Sequence, residues 1–493
     1  MHMKQIILIH PDDNVVVALQ PLRRGETIKE IGVRLIDDIP AGHKIAIRPI
    51  ADGEPVLKYG LPIGAATRDI RAGEHVHTPN LRTRLAGEIA YAYTPAPLTM
   101  HSIPARTFMG YKRKYGRAGV RNELWIIPTV GCVNDVARTL RQRAQALVGG
   151  SVEGVSAFEH PYGCSQMGDD QETTQRILAD LAAHPNAGGV LVLGLGCENS
   201  GVEEIKKHMP PYDRKRVRFL VAQETDDELL TGMRMLTELA AEMQKDKREP
   251  VGAEQLVVGL KCGGSDGLSG ITANPLIGRF SDRLVSMGGA AILTEVPEMF
   301  GAETLLMNRC ETEAVFQDTV GMINIFKRYY EEHSQPIYEN PSPGNKQGGI
   351  STLEDKSLGC TQKSGSAVVR DVLPYAGRVQ KSGLNLLSAP GNDLVSATAL
   401  AAAGAQIVLF STGRGTPFGA PVPTLKIASN SGLAKRKKNW IDFDAGRLLA
   451  THTIEQLTDE LTDLVLDIAS GKPARNEIND YRGIAIFKTG VTL

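Results

Sequence analysis

The sequence predicts an α/β protein in which a small β-rich domain precedes one or two α/β units with mostly parallel sheets. Two patterns lead to this prediction. Residues 1–93 hold short alternating strands such as QIILIH and HKIAIRPI, separated by turns such as ADGE and RAGE. From about residue 106, apolar runs that end in Gly-rich turns alternate with helical patterns, as where GGVLVLGLGC leads into GVEEIKKH. That alternation is typical of a parallel sheet covered by helices on both faces.

Changes in composition divide the chain into a first domain at residues 1–93, a linker at 94–105, and α/β domains at 106–248 and 249–493. The linker lies within TPAPLTMHSIPAR, which spaces three prolines through a polar stretch without periodicity. The last boundary depends on DKREP, a charged break at residues 246–250. A chain of 493 residues is also too long for one hydrophobic core, so several domains are expected.

Composition narrows the class of protein. Lys plus Arg number 55 against 56 Asp plus Glu, so no charge excess favours nucleic acid or an anionic membrane as a partner. The longest apolar runs are far shorter than the ~20 residues of a membrane-spanning helix, and the apolar run at the N-terminus is too short for a signal peptide. We therefore expect a cytoplasmic protein with a small-molecule ligand. A homo-oligomer is expected, with a dimer as the default.

Cysteine placement is more informative than cysteine number. Five of the six cysteines have a glycine neighbour and lie at predicted strand ends or turns, where α/β sheets bind ligands: Cys132, Cys164, Cys197, Cys262 and Cys360. Carboxylates stand close to two of them in the sequence, namely Asp169, Asp170 and Glu198. Three interpretations stay open: a metal or iron–sulfur site, a nucleophilic cysteine, or small residues packed beneath tight turns. The chain has no C-x-x-C, which excludes zinc-ribbon and ferredoxin patterns.

A second set of chemical side chains lies in the first domain. It consists of His43, Lys58, Tyr59, His75 and His77, with Asn80 close by. Side chains two positions apart on a strand point to the same face, so the two histidines of the H-x-H pair could share a metal ion or a substrate. Such a pair alone is more often exposed or hydrogen-bonded than functional. The neighbouring lysine and tyrosine favour a site.

Long motifs along the whole chain resemble the altronate and galactarate dehydratase family. They include GHKIAI, KYGLPIG and GEHVH in the first domain, then GVRNELWIIPTVGCVN, YGCSQMGDD, GLGCENS and CGGSDGLSGITANP, and finally YENPSPGNKQGG, EDKSLGCTQKSG and STGRGTPFGAPVPT. The resemblance implies a first domain of the SAF (antifreeze-like) fold. It also implies a hydro-lyase acting on an aldonate or aldarate with Fe(II), which Mn(II) can replace. D-altronate is the expected substrate and 2-dehydro-3-deoxy-D-gluconate the expected product, in hexuronate catabolism.

Residue roles follow as hypotheses. His77, with His43 or His75, is the candidate base or metal ligand, and Lys58 and Tyr59 are candidate acids or substrate donors. Arg121 and Arg414 are candidate carboxylate clamps, because guanidinium matches carboxylate in a bidentate manner. The remaining candidates for substrate binding are Asn80, Asn134, Ser265, Asp266 and Lys363. The five cysteines named above form the candidate pool for iron ligation, with Asp169, Asp170 and Glu198 as oxygen alternatives.

Other functions compete with this prediction. The nearest is a galactarate dehydratase or a dehydratase of another sugar acid, which would need one more cation for a second carboxylate. A sulfolactate-type sulfo-lyase belongs to another class, and there the small and large domains are on separate chains. A non-enzymatic sugar-acid-binding protein would hold no metal. The Gly-rich turns fit neither G-x-G-x-x-G before a helix nor a Walker pattern, so a nucleotide site is disfavoured.

Overall fold

A computed structural model describes residues 4–96 and 101–490 of the chain. Its first part is built from short antiparallel strands: β1 Ile6–Ile7, β2 Val15–Ala18, β3 Thr27–Ile28, β4 Val33–Arg34, β5 Lys44–Ala46, β6 Pro55–Lys58, β7 Leu61–Ala66, β8 His75–Val76 and β9 Leu81–Arg82. They form sheets in the orders β1-β2-β5-β8, β3-β4 and β6-β7-β9. Glycines with positive φ, such as Gly53 and Gly73, lie in the turns between strands that are consecutive in the chain. The predicted β-rich start of the chain is confirmed.

The second part is a four-stranded parallel sheet with helices. Its strands are β11 Glu123–Pro128, β12 Gly154–Ala157, β13 Ala187–Gly194 and β14 Val217–Val221, in the order β12-β11-β13-β14. Its helices are α1 Asn134–Ala144, α2 Gly168–Ala182, α3 Val202–His208 and α4 Glu228–Met243. Strand β10 Thr107–Gly110 precedes this part and pairs antiparallel with β15 Glu249–Gly252, which follows it. The pairing of β10 with β15 brings the start and the end of the second part together.

The third part is a seven-stranded parallel sheet. Its strands are β16 Val257–Cys262, β17 Ala290–Leu293, β18 Val369–Leu373, β19 Gly383–Leu387, β20 Ile407–Thr412, β21 Thr424–Ala428 and β22 Phe443–Asp444, in the order β18-β19-β17-β16-β20-β21-β22. Its helices are α5 Ala273–Ser286, α6 Glu303–Met307, α7 Glu313–Glu332, α8 Pro343–Gln347, α9 Leu353–Cys360, α10 Asp393–Ala402, α11 Ser431–Arg436, α12 Ile454–Ala469 and α13 Arg475–Ile478. The predicted α/β class with parallel sheets is confirmed.

The parts pack into one body. Trp125 of the smaller sheet and Leu400 of the larger part belong to one buried apolar cluster, and the His184 ring bonds to the carbonyl of Ala405 across the same boundary (3.2 Å). Beyond α13 the chain returns to the smaller sheet, where the Arg482 guanidinium pairs with both oxygens of Glu123 (2.6 and 2.8 Å). The segment after α13, which the sequence-based division assigns to the last domain, therefore also packs against the second part.

The predicted linker at 94–105 lies partly outside the described residues, since positions 97–100 are not described. Residues 101–105 have no regular secondary structure. Ala96 and Ile103 donate backbone hydrogen bonds to Asn308 and Ser286 of the third part. The division of the chain at 93, 105 and 248 stays a prediction. Among the described residues, no helix has the length and apolar character needed to span a membrane.

Candidate active site

Three imidazoles meet at one edge of the first part. His43 directly precedes β5, and His75 opens β8, which is the antiparallel neighbour of β5. The Nδ1 atom of His43 lies 2.9 Å from Nε2 of His75. His77 is two residues after His75, and the two rings are stacked. One ligand atom from each ring lies within 4.8 Å of those of the other two. The three rings are therefore spaced as ligands of a single ion could be.

Burial controls the charge of this imidazole cluster. Desolvation, together with the neighbouring ring and the Lys44 ammonium, lowers the pKa of His75 to about 4. Desolvation, the Lys44 ammonium and the other two imidazole rings lower the pKa of His77 to about 3. The pKa of His43 is also lowered, mainly by burial. The rings are neutral near pH 7, which is the form of histidine that binds metals.

The imidazole cluster is closed from the other side by the third part. The Nε2 atom of His43 bonds to the carbonyl of Gln347 (3.2 Å), and Nδ1 of His77 bonds to Oγ of Ser351 (2.9 Å). Gly267 shows why the sequence has glycine here: a Cβ on this residue would lie 2.0 Å from the carbonyl oxygen of Gly42. The two backbones approach so closely that a side chain would force them apart.

A buried carboxylate fastens the first part to α9. The Asp355 oxygens accept hydrogen bonds from Nζ of Lys44 (2.8 Å) and Nζ of Lys58 (2.9 Å), and all three side chains are at most 2% exposed. Burial alone would lower the pKa of Lys58, but Asp355 outweighs it and raises that pKa above its ordinary range. Burial lowers the pKa of Lys44 to about 8, although Asp355 opposes the shift. Lys58 is thus held as an ammonium ion.

Tyr59 stands between this ion pair and α9. Its backbone adopts φ = 63°, a left-handed conformation that is unusual for tyrosine, and its ring lies 4.7 Å from Nζ of Lys58. Its phenol oxygen would be 2.3 Å from a Cβ placed on Gly270, which explains glycine at that position. The strained backbone aims the phenol into the third part, at the wall of a small cavity.

Two thiols and a carboxylate form a second cluster at the end of β16. Cys262 Sγ lies 3.4 Å from Cys360 Sγ, and both lie within 3.3 Å of Oε2 of Glu298. Nζ of Lys363 lies 2.9 Å from Cys262 Sγ, and Nζ of Lys356 pairs with Glu298 at 2.8 Å. Burial would raise the pKa of Glu298, but these ammonium groups lower it below its ordinary range. The adjacent Cys262 sulfur, together with burial, raises the pKa of Cys360.

The Lys58–Asp355 ion pair and the thiol–carboxylate cluster border a common cavity. Lys58 and Tyr59 line it from the first part, and Cys360, Lys356 and Ser265 line it from the third. The Ser265 hydroxyl is buried and has no hydrogen-bond partner among the described residues. An unpaired buried hydroxyl costs ~1–3 kcal/mol unless a ligand or water completes it, so this cavity is suited to a polar ligand.

Comparison with known proteins places this geometry in a family. Residues 4–84 match the altronate/galactarate dehydratase SAF domain, 110–244 the D-galactarate dehydratase/altronate hydrolase second domain, and 253–492 the D-galactarate/altronate dehydratase C-terminal domain. The chain is 53% identical to the altronate dehydratase of Bacillus subtilis over 498 aligned positions, with all of both chains covered. It is 54% identical to the altronate dehydratase of Escherichia coli, which covers 99% of this chain and 100% of that one.

The chain belongs to the altronate/galactarate dehydratase family. It is thereby an enzyme of the hydro-lyase class. The galactarate dehydratase (L-threo-forming) of E. coli is a more distant member, 32% identical over 492 positions that cover 94% of this chain and 93% of that one. The predicted SAF fold of the first part is confirmed by the match to residues 4–84.

The fold does not bring every residue that the sequence predicts for substrate binding to the cavity. Arg121 precedes β11 and so lies at the amino end of that strand. Its guanidinium pairs with Glu477 (2.7 and 2.8 Å) and donates to three backbone carbonyls. The prediction of Arg121 as a substrate clamp is corrected, because its donors are spent on holding the C-terminal segment. Arg414 is exposed and is not among the residues that line the cavity; it donates to Oε1 of Gln347 (3.0 Å).

The predicted polar residues divide into cavity residues and supports. Asn80 supports the imidazole cluster: its Oδ1 accepts from the backbone N–H of His77 and its Nδ2 donates to the carbonyl of His75, both at 2.9 Å. Asp266 is half-buried and accepts from Ser269, Ser429 and Asn430, so it orders the Gly-rich loop after β16. Asn134 lies in the second part and donates to the His160 carbonyl (2.9 Å).

The predicted metal pool also divides. Cys262 and Cys360 are buried in the thiol–carboxylate cluster, whereas Cys132, Cys164 and Cys197 are exposed on the second part. The three carboxylates predicted as alternative iron ligands either accept hydrogen bonds from other residues or lie exposed. Asp170 accepts from the backbone of Thr489 and Gly490, Glu198 accepts from Thr129 (2.6 Å) and from Gly196 N, and Asp169 is exposed in the first turn of α2.

Sequence reasoning missed the charged residues that surround the cavity: Lys44, Lys261, Glu295, Glu298, Asp355 and Lys356. Lys261 pairs with Glu295 and with Asp393, and Lys363 pairs with Glu295 at 2.9 Å. One signal existed in the sequence. Lys261 is the last residue but one of a strand of otherwise apolar residues (VVGLKC), and a lysine buried at such a position requires an acidic partner.

Proposed function

We propose that this protein dehydrates D-altronate to 2-dehydro-3-deoxy-D-gluconate with Fe(II), or Mn(II) in its place, held by the imidazole cluster. The observation that carries the substrate assignment is the identity of 53–54% over full length with two altronate dehydratases, against 32% with a galactarate dehydratase. The observation that supports the metal position is the convergence of His43, His75 and His77, whose ligand atoms lie within 4.8 Å of one another.

The imidazole cluster fits a divalent ion. Two nitrogens bound at ~2.1 Å to one ion at right angles lie about 3 Å apart, and Nδ1 of His43 and Nε2 of His75 are separated by 2.9 Å. The remaining nitrogens of His43 and His77 have partners in Gln347 and Ser351, an outer shell that orients imidazole ligands. A metal bound there would supply Lewis-acid stabilisation of the charge that develops on the substrate carboxylate.

The thiol–carboxylate cluster fits a cation less well. Lys363 already contacts Cys262 (2.9 Å) and Lys356 already pairs with Glu298 (2.8 Å). A metal ion placed between these groups would have to displace or repel both ammonium groups. The cluster is better suited to forming one fixed wall of the cavity. We therefore assign the metal to the imidazole cluster.

The residues of the cavity carry the proton transfers. The Lys58 ammonium, kept charged by Asp355, holds a proton at Nζ for the departing 3-hydroxyl group. Tyr59 faces the same cavity and orients that hydroxyl. The Ser265 hydroxyl, which lacks a protein partner among the described residues, donates to a substrate hydroxyl. His77 either takes the C2 proton at Nε2 or ligates the metal, and the exposed Arg414 guanidinium receives the incoming carboxylate.

One set of variants tests the proposal. Protein supplied anaerobically with Fe(II) should form a 2-keto acid from D-altronate at a rate at least 10-fold above that from galactarate. His75→Ala should lose bound iron and activity together. His77→Ala should lose activity by ~10²-fold or more, with iron retained if His77 is the base and lost if it is a ligand.

The control is His333→Ala, an exposed histidine whose Nδ1 bonds within its own helix; it should match the unmodified protein. Unchanged turnover in His77→Ala with intact iron would remove His77 from the mechanism. A higher rate with galactarate than with altronate would overturn the substrate assignment and favour the aldarate alternative.

A further inference from the structure

Three cysteines outside the active site occupy equivalent positions on the smaller sheet. Cys132 follows β11, Cys164 follows β12 and Cys197 follows β13. Because β11 lies between β12 and β13 and all three strands are parallel, their following loops emerge at one edge of the sheet. All three thiols are free and exposed. Free cysteine is ordinarily among the most buried residue types, so three exposed thiols at one edge need an explanation.

The three loops are tied to one another. The backbone N–H of Gly131 donates to the carbonyl of Tyr162 (2.9 Å), and that of Ser200 donates to the carbonyl of Gly163 (3.0 Å). Glu198 bridges the loops as well, since it accepts from Thr129 (2.6 Å). The loop of Cys132 is thus fixed to that of Cys164, and the loop of Cys164 to that of Cys197.

The glycine beside each of two cysteines is required by this arrangement. Gly163 has φ = +101°, and a Cβ on it would lie 1.9 Å from the carbonyl oxygen of Thr129. Gly196 has φ = +130°, and a Cβ on it would lie 2.7 Å from Oε1 of Gln223. Neither conformation is open to other residues without strain. The backbone is therefore shaped so that the following thiols point outward, which a role as small packed residues would not need.

We propose that Cys132, Cys164 and Cys197 bind an iron–sulfur cluster of the [4Fe–4S] type through three thiolates. This site is separate from the imidazole cluster and does not depend on the proposed substrate. Thiolates are the ligands that iron–sulfur clusters use, and each thiol releases its proton on ligation. With three protein ligands, one iron keeps an open position toward solvent for water or a small oxygen ligand.

The spacing favours a cluster over a single ion. Two thiolates bound to one tetrahedral ion at ~2.3 Å lie about 3.8 Å apart. Among the described residues, the groups whose donor atoms all lie within 4.8 Å of one another are the imidazole cluster and the thiol–carboxylate cluster. The three loop cysteines do not form such a group, which argues against a single ion bound by all three thiolates. Gln223 Nε2 lies 3.7 Å from Cys197 Sγ and Ser165 Oγ lies 3.8 Å from Cys164 Sγ, so weak donors to sulfur are in place.

The test is reconstitution of the full chain with equal amounts of Fe(II) and Fe(III), and with sulfide, under anaerobic conditions, because the oxidised cluster holds two irons of each kind. We expect about four irons and about four acid-labile sulfides per chain in excess of the imidazole-bound metal, visible charge-transfer absorption, and a paramagnetic signal after reduction. Cys132→Ser, Cys164→Ser and Cys197→Ser should each lose most of the sulfide. Cys310→Ser, which removes a buried thiol far from these loops in the sequence, should keep it, and so should His75→Ala.

A second measurement serves if a serine variant folds poorly. In the reconstituted protein the three loop cysteines should resist alkylation, and they should become reactive after the cluster is removed by chelation. Iron uptake without sulfide would overturn the cluster in favour of a mononuclear site. Equal alkylation before and after chelation, or sulfide retained when all three cysteines are replaced, would also overturn it. Loss of the cluster with altronate dehydration unchanged would leave the site standing and separate it from the proposed reaction.

Discussion

Asp355→Asn tests the attachment of the first part to the rest of the molecule. The carboxylate is 0% exposed and accepts from two buried ammonium groups at 2.8 and 2.9 Å, as well as from the backbone N–H of Ser351 at 3.1 Å. Asparagine keeps the volume but removes the charge, so Lys44 and Lys58 remain buried without a counter-ion. Breaking a buried ion pair from one side costs about 3–5 kcal/mol. We expect a loss of that size in the free energy of unfolding, measured by urea denaturation.

Two comparisons make this result specific. Asp38→Asn removes an acid from a surface pair with Arg23 that is 64–77% exposed and 3.7 Å long, so it should cost less than ~1 kcal/mol. The triple variant Lys44→Met, Lys58→Met, Asp355→Leu removes all the charges together and should recover most of the stability. If Asp355→Asn costs no more than Asp38→Asn, the buried ion pair does not hold the first part in place. If the triple variant is as unstable as the single one, the cost is steric rather than ionic.

Two further predictions concern a close backbone approach and the pH dependence of stability. Gly267→Ala places a methyl group 2.0 Å from the carbonyl oxygen of Gly42 and should destabilise the folded protein by about 1–3 kcal/mol. As a control, Gly321→Ala in the middle of α7 has no atom within 4 Å of the new methyl and should stabilise the protein by about 0.5–1 kcal/mol. Equal melting temperatures for the two variants would contradict the predicted clash. Burial raises the pKa of Asp180 to about 7 despite the nearby Arg378. The folded carboxyl group therefore keeps a proton that the unfolded chain releases near pH 4, so this contribution to stability is complete below pH 4 and is lost as pH rises through 7. Asp180→Asn should remove a decline of about 2–3 kcal/mol between pH 5 and 8 in urea titrations; an unchanged pH profile would contradict this assignment.

The fold class could be predicted from periodicity because parallel strands, helices and Gly-rich turns each leave a local signal. The edge of the sheet that carries chemistry was also accessible, since Cys262 ends β16 and Cys132 follows β11. Ligands bind at the carboxyl ends of parallel strands. This rule argues against Arg121 as a substrate residue, because Arg121 precedes its strand. The sequence-based clamp assignment considered only the chemistry of guanidinium and not its position along the strand.

The rest depended on long-range pairing that no local pattern contains. Asp355 stands in the first turn of α9, where an acidic residue is ordinary on helix-dipole grounds alone. Its partner Lys44 lies 311 positions earlier in the chain. The division of the five cysteines into a buried pair and three exposed residues was equally inaccessible. A chain with two parallel sheets has two carboxyl edges, and a Gly-Cys turn has the same sequence pattern at either one.

The buried charges around the cavity bear on how a sugar acid is held. Five buried lysines line or support it: Lys44, Lys58, Lys261, Lys356 and Lys363. Five carboxylates oppose them: the buried Asp355, Glu295 and Glu298, and the partly exposed Asp266 and Asp393. These side chains balance one another, so no surplus ammonium group is left for a substrate carboxylate. The negative charge of that carboxylate would have to be met by the proposed divalent ion, because burying an unpaired charge is costly.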